Sequence, residues 1–123
     1  MQPIGKRRWA IAEGCLPGWS QDMRAVRSHE TACILNANDV EAEVRITIFF
    51  ADRDPAGPYR IRIPARRTRH VRFDDLADPE VIPRGTDYAS VIECDVPIVV
   101  QHTRVDSRET DRALLTTVAY ASD

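Results

Sequence analysis

Along much of the chain apolar and polar residues take turns. In the run 44–50, Val44, Ile46, Ile48 and Phe50 fall on one side, and Arg45 and Thr47 on the other. A period of two is that of a β-strand with one face in a core. Residues 52–58, Asp-Arg-Asp-Pro-Ala-Gly-Pro, carry the turn formers of a hairpin connection. The alternation resumes over 59–63, where Tyr59, Ile61 and Ile63 share a face, and Pro64 stops it because proline has no N–H to donate. β-branched and aromatic residues concentrate equally in 8–12, 29–35, 70–73, 89–92, 98–103 and 114–120. Eight short strands at this spacing predict an all-β protein, an eight-stranded antiparallel β-sandwich of jelly-roll-like type. Two stretches, 73–77 and 106–112, have room for a helical turn and no more. With no repeat, linker or low-complexity tract, residues 1–123 are expected to form a single domain.

Composition narrows the class. The 123 residues are 43% hydrophobic, enough for one core, and the formal net charge of −2 argues against a chain that binds nucleic acid over its whole surface. Positive charge is almost all arginine, Lys6 being the single lysine, which suits bidentate recognition of anions or of a second subunit. Base composition of the gene explains the same bias equally well. Cys15, Cys33 and Cys94 are odd in number and widely spaced, so reduced thiols are expected rather than disulfides or a zinc knuckle. The first nine residues lack the apolar segment of a secretory signal, and no apolar run approaches membrane-spanning length. A cytoplasmic location is the expectation.

Candidate chemistry sits at strand ends. Glu13, Ser28-His29-Glu30, the run 66–70 and the run 101–108 form four polar clusters, and all three histidines fall within them. His29 and Glu30 point to opposite faces of a strand, and no His-x-His pair exists, so no metal site is expected. No Gly-x-Ser-x-Gly elbow or activated cysteine is present, so no catalytic residue and no cofactor are assigned. An enzyme built on Glu13 and His102 is the weakest rival. Six arginines between Arg60 and Arg72 make a basic stripe, with Arg66, Arg67 and Arg69 the candidate nucleic-acid contacts. Aromatic interleaving there is poor, and carboxylates on neighbouring strands are positioned to neutralise it, so weak or no DNA binding is expected. What remains is a polar pocket for a small hydroxylated or anionic ligand, with Trp9 or the loop residue Trp19 as candidate ligand or partner contacts. His102 alternates onto the face of Ile98 and Val100, where an apolar strand gives way to polar groups. If it meets solvent there, truncating it should cost about 1 kcal/mol or less.

Several runs resemble one known family. Trp9-Ala-Ile-Ala-Glu-Gly14, Ser28-His-Glu-Thr31, Pro64-Ala-Arg-Arg-Thr68, His70-Val-Arg-Phe73, Ala89-Ser-Val-Ile92, Pro97-Ile-Val-Val-Gln-His-Thr-Arg104 and Asp106-Ser-Arg108 are similar, in order, to the sensory rhodopsin transducer family. The resemblance implies a small cytoplasmic β-sandwich that assembles as a homotetramer and acts as the soluble partner of a membrane rhodopsin. Other members are regarded as domains that bind small molecules, with sugars a suggested class, and DNA binding has been proposed for one. For matching positions it implies a pocket lined by Glu13, His29, Glu30, His102, Arg104 and Arg108. The loop 15–27 departs from the family pattern. The expectation is a non-catalytic sensory adaptor that binds itself, a small polar ligand and the cytoplasmic face of a rhodopsin. A DNA-binding regulator using the arginine stripe is the alternative.

Overall fold

The computed structural model describes residues 2–19, 27–108 and 113–122. Its strands are β1 (Lys6–Ile11), β2 (His29–Asn36), β3 (Ala42–Phe50), β4 (Ala56–Ile63), β5 (Arg67–Arg72), β6 (Tyr88–Asp106), β7 (Ala113–Val118) and β8 (Tyr120–Ser122). Every pairing is antiparallel. One half of the sandwich runs β4-β3-β6-β1-β8, and the other runs β5-β2-β6-β7. The expected all-β sandwich of eight antiparallel strands is what forms, with one 3-10 turn, Phe73–Asp75, among the described residues.

The two halves are continuous through β6. Its first part pairs with β3 from Tyr88 to Cys94 and with β1 from Ser90 to Ile98. Its second part pairs with β2 from Val99 to Val105 and with β7 from Gln101 to Asp106. The sequence reading placed two strands here, 89–92 and 98–103, where the structure has one of 19 residues. Pro97 falls where pairing with β3 has ended and pairing with β2 has not begun, so its missing N–H interrupts neither ladder. Asn38 Nδ2 also donates to the Pro97 carbonyl at 2.7 Å, tying the crossover down. Conversely, the single strand expected at 114–120 is two. Ala119 donates to the Val100 carbonyl at 3.1 Å, and the chain passes from β6 to the free edge of β1.

Alternation sets the core. Val44, Ile46 and Ile48 of β3, Tyr59, Ile61 and Ile63 of β4, and Ile92, Ile98 and Val100 of β6 belong to one buried cluster with Ala32 and Ile34 of β2. Trp9 is buried there too, its indole N–H donating to the carbonyls of Lys6 and Ile98. Gly5 permits the close approach of β1 to β6. A Cβ there would lie 2.1 Å from the Ile98 carbonyl oxygen, and its φ of +105° disfavours any side chain.

Candidate functional site

The polar centre forms where β2 and β6 run side by side. Their register places Ala32 opposite His102 and Glu30 opposite Arg104. Glu30, Ala32 and Ile34 share the inward face of β2, and Ile98, Val100 and His102 share that of β6. Glu30 is 1% exposed and His102 is 7% exposed. Glu30 Oε1 lies 2.6 Å from His102 Nε2, and Glu30 Oε2 accepts the Cys15 backbone N–H. A buried charge is tolerated when both its oxygens are satisfied, as here. The condition that His102 meets solvent is therefore not satisfied, since it is 7% exposed. The alternating face is as expected, but the strand carries the imidazole under cover of its neighbours.

Above this pair, Arg104 Nη1 donates to Glu13 Oε1 at 2.8 Å, joining the strand end of β6 to the segment after β1. Burial alone would lower the Arg104 pKa, but its bond to Glu13 and the nearby Glu30 charge outweigh that and raise it. The same segment supplies a backbone clamp. Tyr88 N–H donates to the Gly14 carbonyl at 2.9 Å, and Cys15 bridges to Asp87. A Cβ at Gly14 would lie 2.5 Å from the Tyr88 ring, so this clamp needs a residue without a side chain. The Tyr88 hydroxyl is buried and has no hydrogen-bond partner among the described residues. Burial first, and then the Glu30 charge, push its pKa far above the usual phenol range. The Cys15 thiol is pushed up by burial first and by Asp87 next, the opposite of an activated nucleophile.

A cleft of about 280 Å³ opens beside the pair, where β7 hands the chain over to β8. Glu13 and His102 line it together with Ala10–Ala12, Leu115 and Tyr120. Ser28 and Ser107, both fully buried, close a second clamp nearby. Ser107 N–H donates to Ser28 Oγ at 2.9 Å.

The structure thus brings Glu13, Glu30, His102 and Arg104 together. It does not bring His29 to them, since its ring contacts the Arg27 carbonyl at 2.7 Å and alternation turns it from Glu30. Arg108 is folded back onto Asp106, with Nη2 2.7 Å from Oδ2. Trp9 is core, as described above. Trp19 stays 63% exposed at the edge of the described residues, while the rest of its loop, 20–26, lies outside them. Sequence reasoning missed Cys15 N–H, Gly14 and Tyr88, because the contributing groups are backbone or apolar-looking residues without a motif. The Trp-Ala-Ile-Ala-Glu-Gly run was the one available signal.

The arginine stripe is partly neutralised. Arg60 pairs with Glu43 at 3.2 Å, Arg72 with Asp74 at 2.7 Å, and Arg66 approaches Asp39 at 3.9 Å. Arg67 and Arg69 donate to the backbone carbonyls of Arg66 and Arg62. A second cleft of about 360 Å³ between β4 and β5 mixes Arg60, Arg69 and Arg72 with Asp75 and Asp78. Among the described residues no group of three or more His, Cys, Asp or Glu side chains is placed to hold a metal ion, and no helix is long and apolar enough to cross a membrane.

Comparison with known proteins followed the same outline. Residues 4–121 match the family model described as Anabaena sensory rhodopsin transducer. A solved structure of the Anabaena sensory rhodopsin transducer is 55% identical, with a TM-score of 0.74, covering 84% of this chain and 100% of that one. The crystal structure of Thermotoga maritima 1070 is 32% identical, with a TM-score of 0.86, covering 99% of this chain and 97% of that one. No curated protein matches.

Proposed function

Because this chain belongs to the Anabaena sensory rhodopsin transducer family, we propose that it is a non-catalytic cytoplasmic adaptor that relays the state of a membrane rhodopsin and binds a small polar ligand, with a sugar the leading class. The observation that carries the ligand half is the cleft itself. It places an imidazole and a carboxylate at the end of an apolar core, where directional groups beside apolar walls favour a compact polar guest. Self-association as a homotetramer accounts for the open edge. Leu114, Leu115, Val118 and Tyr120 are each more than half exposed, on a strand pair that carries no charge from Ala113 to Ala121. Calorimetric titration of the parent with a panel of sugars and organic acids tests the pocket, and light scattering tests the tetramer. A parent that binds no panel member, or a concentration-independent monomer, overturns the respective part. Capture of the chain by membranes carrying the cell's own rhodopsin, and not by membranes without it, tests the partner.

The exposed Arg66, Arg67 and Arg69 keep a DNA-binding regulator as the second reading. Their mixed surroundings favour weak, salt-labile contact of micromolar order or poorer, typical of non-specific phosphate binding. Changing all three to Ala should lower the salt slope by about two to three units. Sequence-selective nanomolar binding at physiological salt would make this the primary function.

A further inference from the structure

We propose that Glu30 is a positioning residue, whose buried carboxylate holds the His102 ring with Nε2 protonated and leaves Nδ1 as the hydrogen-bond acceptor offered to a neutral hydroxylated ligand. This rests on the reading of the cleft given above.

Glu30 does not reach the ligand itself. At 1% exposure both its oxygens face inward, one toward Cys15 N–H and the other toward His102 Nε2. A backbone amide only donates, so the carboxylate must accept at Oε2. At Oε1 an ionised carboxylate can again only accept, which assigns the ring proton to Nε2. In a neutral imidazole the hydrogen bond made by one nitrogen sets the role of the other. Nδ1 then carries a lone pair, and among the described residues it has no hydrogen-bond partner.

The lining of the cleft gives the ligand's chemistry. Among the described residues it includes no arginine and no lysine. Its one ionised side chain is Glu13, and the nearby Arg104 is already engaged by that carboxylate. An acidic guest would therefore meet acceptors at Nδ1 and Glu13, with no cation in the described lining left free to pair with it. A neutral polyol donates to both and lays its carbon face against Leu115 and Tyr120.

The test has two arms. In the first, the protein is labelled with ¹⁵N-histidine, and long-range ¹H–¹⁵N spectra are recorded at mildly alkaline pH. His102 is identified by the signals lost in His102→Gln. A ring protonated at Nε2 is expected in the parent. An Nδ1–H ring, or a rapid mixture of tautomers, overturns the proposal without any variant of Glu30. In Glu30→Gln the amide cannot accept at both atoms, so the tautomer preference should weaken. An unchanged preference in that variant also overturns it. In the second arm the parent is titrated with glucose and myo-inositol against gluconate and glucuronate. Neutral polyols should bind at least tenfold more tightly than the acids, and Glu30→Gln should weaken them about 3- to 30-fold. Acids that bind as tightly as the polyols overturn the acceptor role of Nδ1. An Nε2–H ring with no binding in either series upholds the positioning by Glu30 and sinks the cleft as a ligand site.

Discussion

Replacing His102 by alanine is the sharpest probe of the buried pair. The substitution leaves Glu30 with the Cys15 N–H as its one remaining donor in the site, at 1% exposure. Leaving a buried acceptor unsatisfied costs about 1–3 kcal/mol, and more for a charged group, because the survivor keeps its desolvation penalty. His102 sits nearer the cleft than Glu30, so water entering the vacated space offsets part of this, and about 3 kcal/mol is expected. At roughly 4 °C per kcal/mol for a chain of this size, the melting temperature should fall by about 12 °C. Urea titration followed by circular dichroism measures the difference, with protein concentration held fixed because assembly contributes to apparent stability. A double variant, Glu30→Leu with His102→Leu, removes the orphaned charge as well and should recover more than half of the loss. A loss below about 1 kcal/mol for His102→Ala would show that the pair is solvated and contributes nothing to the fold, and the reasoning would fail.

Three other outcomes follow from particular contacts. Tyr88→Phe removes a buried hydroxyl that bonds to nothing, so its stability should match or exceed that of the parent by up to about 1 kcal/mol, and a loss of more than that by urea melts refutes the contact analysis. Gly5→Ala sets a Cβ against the Ile98 carbonyl at positive φ and should cost more than about 2 kcal/mol, whereas a neutral effect would mean β1 does not approach β6 as described. Asp74 is partly desolvated, but the Arg72 guanidinium outweighs this and depresses its carboxyl below the ordinary value of about 3.9. A depressed folded-state value means the stabilisation is complete above the unfolded value and is lost as pH falls through the folded one. The parent should therefore lose stability between about pH 4 and lower pH more steeply than Asp74→Asn, and parallel curves in acid melts would refute the ion pair.

Much of the sandwich was legible because its strands alternate. The faces of β3 and β4 follow directly from Val44 to Phe50 and Tyr59 to Ile63. The continuity from 89–92 to 98–103 was missed because local sequence does not reveal where a strand changes partners, and the break at Ala119 within 114–120 because a strand's end can be set by which edge it meets next. For the site, strand ends marked Glu13, Glu30, His102 and Arg104 as separate polar clusters, and the family resemblance alone grouped them in one pocket, because periodicity does not say which strand ends meet. His29 was drawn in by its neighbour Glu30, although adjacent strand residues face apart. The hold on Glu30 was invisible, since it comes from a backbone N–H in a loop 15 residues away. Asn36 was overlooked for a similar reason. Its buried amide donates to the carbonyls of Val40, Ile63 and Pro64, and nothing in its codon neighbours announces three backbone acceptors.

A strand shared by both halves also imposes an order of events on folding. β3 and β4 can close as a local hairpin, and β2 can reach β5 around it. β1 pairs only with β6 and β8, both of which emerge from the ribosome much later. Trp9 must wait for Ile92, and Glu30 for His102, across 83 and 72 residues of chain. Closing such loops is entropically costly and is repaid only when β6 docks along its full length. The edges that the segment from Tyr88 to Asp106 covers therefore stay open until it has been made, and β7 and β8 complete the sheet after it. Charged residues on the early strands, Lys6, Arg7 and Arg8 in the first half of β1 and the arginines of β4 and β5, disfavour edge-to-edge pairing with other chains during that interval.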